Sequence, residues 1–229
     1  MKFENIKGFA FDLDGVIADT AKFHALAWQK IAEEVGTTWT TSLAESLKGV
    51  SRMASLQIIL DASTRLLALS TAAKKELADK KNQHYQQLIV TLTPKDILPG
   101  MLKFIDSAYD NGYKMAIASA SKNAPLILSQ LQLTDYFDGI VDPTALKNGK
   151  PNPEIFLRSA DIMSLDNTQV IGLEDATAGI TAINAAGQTS LGIGNATVLS
   201  AANLIYPSTE SVTLANIAHR SEEHTSELQ

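Results

Sequence analysis

The chain has 229 residues, a net charge of −6, no cysteine, and 45% hydrophobic against 19% charged residues. That balance suits a globular chain with a sizeable core, and it excludes disulfide and thiol chemistry; no basic tract offers nucleic acid a surface, and no apolar run is long enough to span a membrane. The stretch from Lys2 to Lys7 leads into a strand rather than a secretory leader, and the lack of cysteine fits a reducing cytoplasm.

Residues 9–16 read Phe9-Ala10-Phe11-Asp12-Leu13-Asp14-Gly15-Val16. An apolar run this short predicts a buried strand. Side chains two apart on a strand share a face, so Asp12 and Asp14 are expected to project together, with Gly15 turning the chain away. Two adjacent carboxylates repel and resist desolvation, and a cation relieves both penalties. Mg²⁺ favours one or two carboxylates plus phosphate oxygens. The pattern therefore points to a metal-assisted phosphoryl site in which Asp12 attacks phosphorus to form an aspartyl-phosphate. The plainer alternative is an Asp-rich turn after a strand.

A helix follows over 20–36, with Phe23, Ala27, Trp28, Ile31 and Val35 at helical spacing and Gly36 as its stop. Ser42-x-x-Glu45 predicts a capping box, Lys48-Gly49-Val50-Ser51-Arg52 a polar turn, and 51–60 and 71–90 two further helices. Turn residues at Thr93-Pro94-Lys95-Asp96 and Pro99-Gly100 mark the return to alternating elements. Helices are predicted over 100–111, 123–131, 153–163 and 176–186, and strands over 113–119, 139–141, 169–173 and 189–193. The expected fold is α/β: a doubly wound, Rossmann-like parallel sheet built from 1–18 and 92–219, with an all-α cap over 19–91 inserted after the first strand. Residues 220–229, Arg-Ser-Glu-Glu-His-Thr-Ser-Glu-Leu-Gln, break the composition of the rest and look like a translated sequencing adapter. They are expected to be a non-native tail and are set aside from the fold.

Ligands in such sheets sit at the carboxyl ends of the strands. The second predicted strand ends in Ser119-Ala120-Ser121-Lys122-Asn123. There the Ser119 hydroxyl and the backbone N–H of Ala120 can hold phosphate oxygens; a plain N-cap serine is the alternative. Lys150 precedes Pro151 and Pro153, a stiff loop able to aim its charge at Asp12 and a transferring phosphoryl group, although a lysine before proline is more often at the surface. Glu174 and Asp175 follow the buried Ile171-Gly172-Leu173. Acidic groups there need a partner, for which Mg²⁺ is suited; Asp175 as an N-cap is the alternative.

These four pieces, in this order, resemble the haloacid dehalogenase superfamily. The resemblance implies that Asp12 is the nucleophile and Asp14 the general acid/base, with Ser119 and Lys150 completing the catalytic set. It also implies Mg²⁺ held by Asp12, the Asp14 main-chain carbonyl and Asp175, with Glu174 assisting. Asp19-Thr20-x3-His24-x3-Trp28, Leu47-Lys48-Gly49-Val50-Ser51-Arg52-x2-Ser55-Leu56, Ala118–Asn123 and Ile171–Ile180 are similar to the hexose-phosphate mutases of that superfamily.

By that similarity the substrate meets Thr20, His24, Trp28, Lys48, Gly49, Val50, Arg52 and Ser55 from the cap, and Ala120, Ser121, Lys122 and Asn123 from the core. Arg52 would grip a distal phosphate, with Ser121, Lys122 and Asn123 opposite it. Lys48, Gly49 and Val50 would meet sugar hydroxyls, and His24 would organise the hinge and Asp14. An arginine just inside a helix start opposes the helix dipole, and an anion partner would explain it; for His24 and Lys48, a satisfied polar residue and a solvated one are the bland alternatives. The implied reaction converts β-glucose 1-phosphate to glucose 6-phosphate through β-glucose 1,6-bisphosphate, in a cytoplasmic monomer. A Mg²⁺-dependent sugar-phosphate phosphatase and a non-catalytic phosphosugar-binding protein are the competing expectations.

Overall fold

The structure, a computed structural model, describes residues 2–65 and 68–226. Six strands form one sheet: β1 (Gly8–Phe11), β2 (Lys114–Ile117), β3 (Gly139–Ile140), β4 (Val170–Glu174), β5 (Thr189–Ile193) and β6 (Leu204–Tyr206). Their order is β3-β2-β1-β4-β5-β6, and every pairing is parallel. Sequence neighbours lie on one side of β1 and later strands on the other, so strand order reverses at β1. That reversal opens a crevice at its carboxyl end, where Asp12 stands.

The two faces of the sheet differ in side-chain size. One carries Phe9, Phe11, Met115, Ile117, Ile171 and Leu173, packed against α5 (Met101–Asp110) and α6 (Ala124–Gln130) through Phe104, Ile105, Ile127 and Leu128. The other carries Ala10, Ala116, Ala118 and Val170 under α7 (Glu154–Met163) and α8 (Thr177–Ala185). On that second face small residues let the helices come close: a Cβ on Gly172 would lie 2.7 Å from Ile183 Cγ1. The alternation follows from strand period two with both faces buried.

Between β1 and α5 the chain forms α1 (Ala21–Val35), α2 (Thr41–Ser46), α3 (Arg52–Asp61) and α4 (Thr71–Ile89). Trp28, Ile31, Val35, Leu56, Ile59 and Ala78 make their common core. Gly36, at φ 79°, closes α1 with its N–H on Ala32 O, as its stop signal predicts. The N-cap of α2 is Thr40, whose hydroxyl accepts from Leu43 N at 3.1 Å. This corrects the capping box read at Ser42 and Glu45; the helix begins before Ser42. The helical segment enters and leaves the core side by side: Ala18 bridges both Asp14 and Ile97, and Leu98 N donates to Ile17 O at 2.8 Å.

Two further differences concern the chain's end. β6 has three residues, too few to show a period, and was not among the predicted strands. Residues 220–226, set aside in the sequence, continue α9 (Leu214–Ser226). Arg220 Nη1 donates to Ile205 O and its guanidinium covers the Tyr206 ring. Residues 227–229 lie outside the described residues. Among the described residues no helix is long and apolar enough to cross a membrane.

Candidate active site

β1 ends at Phe11, so Asp12 and Asp14 stand beyond the strand rather than on one of its faces. Both border the same cavity, but their carboxylates take different partners, which corrects the expected joint projection. Asp12 is anchored by its N–H to Leu173 O at 3.0 Å. Lys150 Nζ donates to Asp12 Oδ1 and to Glu174 Oε1, both at 2.6 Å, and its side chain is fully buried. It follows that the lysine is not at the surface. Lys150 is joined to Pro151 by a cis peptide bond, and its ammonium lies 5.1 Å from the Phe156 ring centre. Burial opposes its charge, but Asp12 and Glu174 outweigh burial and raise its pKa.

Glu174 Oε2 accepts from the N–H groups of Asp175 and Ala176, at 3.0 and 2.9 Å. The N-cap of α8 is Ala176, with no side-chain cap, so Asp175 is not an N-cap; the Glu174 carboxylate instead fixes the two residues that lead into the helix. Burial pushes Asp175 up to about 7, with the charge of Glu174 adding to it. Burial likewise presses Asp12 well above the ordinary carboxylate range; Lys150 works against this, and Glu174, Asp14 and Asp175 add to it.

Asp14 faces the helical insert. It accepts from Thr20 Oγ1 and, at 3.4 Å, from the Tyr85 hydroxyl, and His24 Nε2 lies 3.4 Å from its Oδ2. His24 Nδ1 in turn lies 2.7 Å from Lys81 Nζ, and its ring stacks on Tyr85 with centres 3.9 Å apart. Donation from Lys81 to Nδ1 places the imidazole proton on Nε2, toward Asp14. Burial works against the Asp14 charge, yet His24, Thr20 and Lys81 outweigh it and hold the carboxyl down to about 2. Burial brings Lys81 down to about 7, helped by Arg52 and opposed by Asp14.

A cavity of about 270 Å³ joins these groups to the insert. Asp12, Asp14 and Asp175 border it from the core; Trp28, Lys48, Gly49, Val50, Arg52 and Ser55 border it from the insert. Ala120, Ser121, Asn123 and His24 also line it. Gly49, at φ 68°, brings the insert against the core: a Cβ there would lie 3.3 Å from Ala176 Cβ. Ser55 Oγ supports the same turn by donating to Val50 O at 3.4 Å.

Three expected positions are placed differently. The Thr20 hydroxyl is directed at Asp14, so Thr20 orients that carboxylate instead of lining the cavity. Lys122 is exposed and off the cavity wall, because Ser121 and Asn123 on either side of it turn inward. Ser119 is buried beneath the loop, where its hydroxyl accepts from Ser121 N at 3.1 Å; it is no N-cap, since α6 is preceded by Asn123. The Asp14 carboxylate stands outside the acidic cluster, in keeping with the expectation that Asp14 meets a metal through its main-chain carbonyl. Among the cavity residues not singled out from the sequence are Lys81 and Trp39. The signal for Lys81 was available: it falls with Ala78, Tyr85 and Ile89 on the buried stripe of α4.

Asp12, Glu174 and Asp175 offer one ligand oxygen each, all within 4.8 Å of one another. Three oxygens of this hardness, with two of the carboxyls pressed upward by burial and further by neighbouring carboxylates, suit a divalent cation such as Mg²⁺. A Cβ at Gly15 would strike the Asp175 carboxylate, so the glycine leaves room for this cluster.

The family model described as haloacid dehalogenase-like hydrolase matches residues 6–187. The chain is 42% identical over 209 residues to a β-phosphoglucomutase of Bacillus subtilis, covering 91% of this chain and 92% of that protein. The crystal structure of a β-phosphoglucomutase from Clostridium difficile superposes with a TM-score of 0.92 at 43% identity, covering 96% of this chain and 99% of that one. A phosphorylated carbohydrates phosphatase of Thermotoga maritima is 28% identical, covering 77% of this chain and 80% of its own length.

Proposed function

The chain belongs to the haloacid dehalogenase-like hydrolase family, and from that premise we propose that it is a phosphotransferase interconverting β-glucose 1-phosphate and glucose 6-phosphate. The observation that carries this is one cavity with an anion-handling group at each side: the Asp12–Lys150 pair beneath it and Arg52 on the insert. A mutase needs both, because its bisphosphate intermediate presents one phosphate to the nucleophile while the other is held.

Lys150 engages Asp12 Oδ1, and the other carboxylate oxygen is assigned the attack on phosphorus. In the priming step the Asp12 O–P bond forms as one O–P bond of β-glucose 1,6-bisphosphate breaks, the departing sugar oxygen leaves with a proton drawn through Asp14, and Lys150 balances the charge on Asp12; β-glucose 1-phosphate then enters the phosphorylated site. Asp14 is ionised in the resting chain and therefore enters as a base. It takes the proton of the sugar 6-hydroxyl as that oxygen attacks the aspartyl-phosphate, giving the 1,6-bisphosphate. After the intermediate turns end for end, Asp14 returns the proton to the departing 1-oxygen while Asp12 is phosphorylated again. Thr20, Tyr85 and His24 hold Asp14 in place for both steps. Asp12, Asp175 and the Asp14 main-chain carbonyl would hold Mg²⁺, assisted by Glu174; when bound it neutralises charge gathered on the carboxylate and phosphoryl oxygens. Burial beneath the insert keeps water from the aspartyl-phosphate.

All these groups come from one chain, which supports a monomer, and the cysteine-free composition supports a cytoplasmic setting. The test supplies Mg²⁺, β-glucose 1-phosphate and a trace of β-glucose 1,6-bisphosphate while glucose 6-phosphate and free phosphate are followed together. Glucose 6-phosphate forming well ahead of phosphate is expected. Phosphate alone would make the chain a sugar-phosphate phosphatase, with Arg52 reassigned to the surface of the insert.

A further inference from the structure

Two donors assigned to the distal phosphate meet on one atom of the chain. Asn82 Oδ1 accepts from Arg52 Nη2 at 2.8 Å and from Asn123 Nδ2 at 2.9 Å. The first donor belongs to the insert, the second to the core loop after β2. One turn along α4, Gln86 Nε2 donates to Asn123 Oδ1 at 3.1 Å. Asn82 and Gln86 lie four apart and share a helix face. Asp79, three residues before Asn82 on that face, feels the charges of Arg52 and Lys122.

We infer that Asn82 is a positioning residue of the distal site: its carboxamide oxygen holds the Arg52 guanidinium and the Asn123 amide, both on the cavity wall, together and releases them to the arriving phosphate. The inference rests on the mutase assignment of Arg52. A neutral amide oxygen suits the task. It fixes a long, rotamer-rich arginine in place, so less ordering remains when substrate binds. Its hydrogen bonds are also weaker than the ion pair, with both partners charged, that a phosphate forms with the guanidinium, so the exchange runs toward substrate. A carboxylate at the same position would form an ion pair with Arg52 and compete with the phosphate.

The test compares wild type, N82A, N82D, R52A and R52A/N82A on β-glucose 1-phosphate and on acetyl phosphate, which carries a phosphoryl group and no distal phosphate; thermal melts verify that each variant folds. N82A is expected to lower kcat/KM for the sugar phosphate by about tenfold, chiefly through KM, and to lower it for acetyl phosphate by about twofold at most. N82D is expected to raise KM further than N82A, which a scaffold role alone would not produce. In the R52A background, N82A should add less than about twofold. Equal losses on the two substrates, an undiminished loss in the R52A background, or a KM for N82D no higher than that for N82A would each overturn the inference. Should the wild type release only free phosphate, the mutase assignment falls. The same comparison, run on hydrolysis of β-glucose 1,6-bisphosphate, then still decides for or against Asn82.

Discussion

Lys81 stands where α4 would otherwise bury an apolar side chain, between the Trp28 and Tyr85 rings at 4.9 and 4.6 Å. Its pKa is 10.5 in the ordinary case and about 7 in the fold. Between those values the unfolded chain binds the extra proton, so stability rises as pH climbs through this window and is lowest below it, where the fold must keep the ammonium buried. Lys81→Met should flatten that slope, measured as urea midpoints across the window, and should stabilise the acid side by a few kcal/mol. Asp12→Asn keeps the shape of the floor and leaves Lys150 its bond to Glu174. Turnover should fall by about 10⁴-fold or more, with a melting temperature close to wild type and no phosphorylated protein on incubation with β-glucose 1,6-bisphosphate. A variant that still accumulates phosphoprotein would remove Asp12 as the nucleophile.

At the scale of elements, the sheet is held by a bulky face and a small-residue face, and helix placement depends on the second. Gly172 in β4 packs directly under Ile183 of α8. Gly172→Val should destabilise by about 1–3 kcal/mol through overpacking, and it should slow turnover as well, because β4 delivers Glu174 to Lys150. Chemical denaturation and steady-state rates read the two effects separately. The central strands of this layer were legible in the sequence: Phe9 to Phe11, Met115 to Ala118 and Val170 to Leu173 are uninterrupted apolar runs. β6 was not, since three residues show no period. The start of α2 was misplaced because Thr40 and Ser42 are both good caps, and only the extended backbone at Thr40 decides between them.

For the whole molecule, the candidate site was legible where a motif lies at a strand end and illegible where residues meet only through the fold. Asp12, Lys150 and Glu174 carry their chemistry in local sequence and do converge. Asn82 belongs to an unremarkable polar stretch of α4, and although Lys81 falls on that helix's buried stripe, nothing local says that the one reaches Arg52 and the other His24. The chain end shows the same dependence on tertiary context. Arg220 and the buried Ser221 contribute to the packing of α9, and Arg220 covers β6. Removing residues 220–229 should leave kcat within about twofold of the full chain, since Arg220 and Ser221 pack at the far edge of the sheet and are not among the cavity residues. It should lower the melting temperature by several degrees through exposure of Tyr206 and the end of the sheet.

The paired entry and exit of the helical segment, joined at Ala18, Ile97 and Leu98, carry a consequence for how this architecture can diversify. Two chain crossings that already touch need only a tight turn to be spliced together, and closing so short a loop costs little. The sheet can therefore accept, lose or exchange its lid as a cassette while keeping the aspartate, lysine and acidic cluster intact. Substrate choice is carried on the exchangeable stretch, and a foreign lid grafted between Ala18 and Ile97 must also restore to Asp14 the partners that Thr20, His24 and Tyr85 give it.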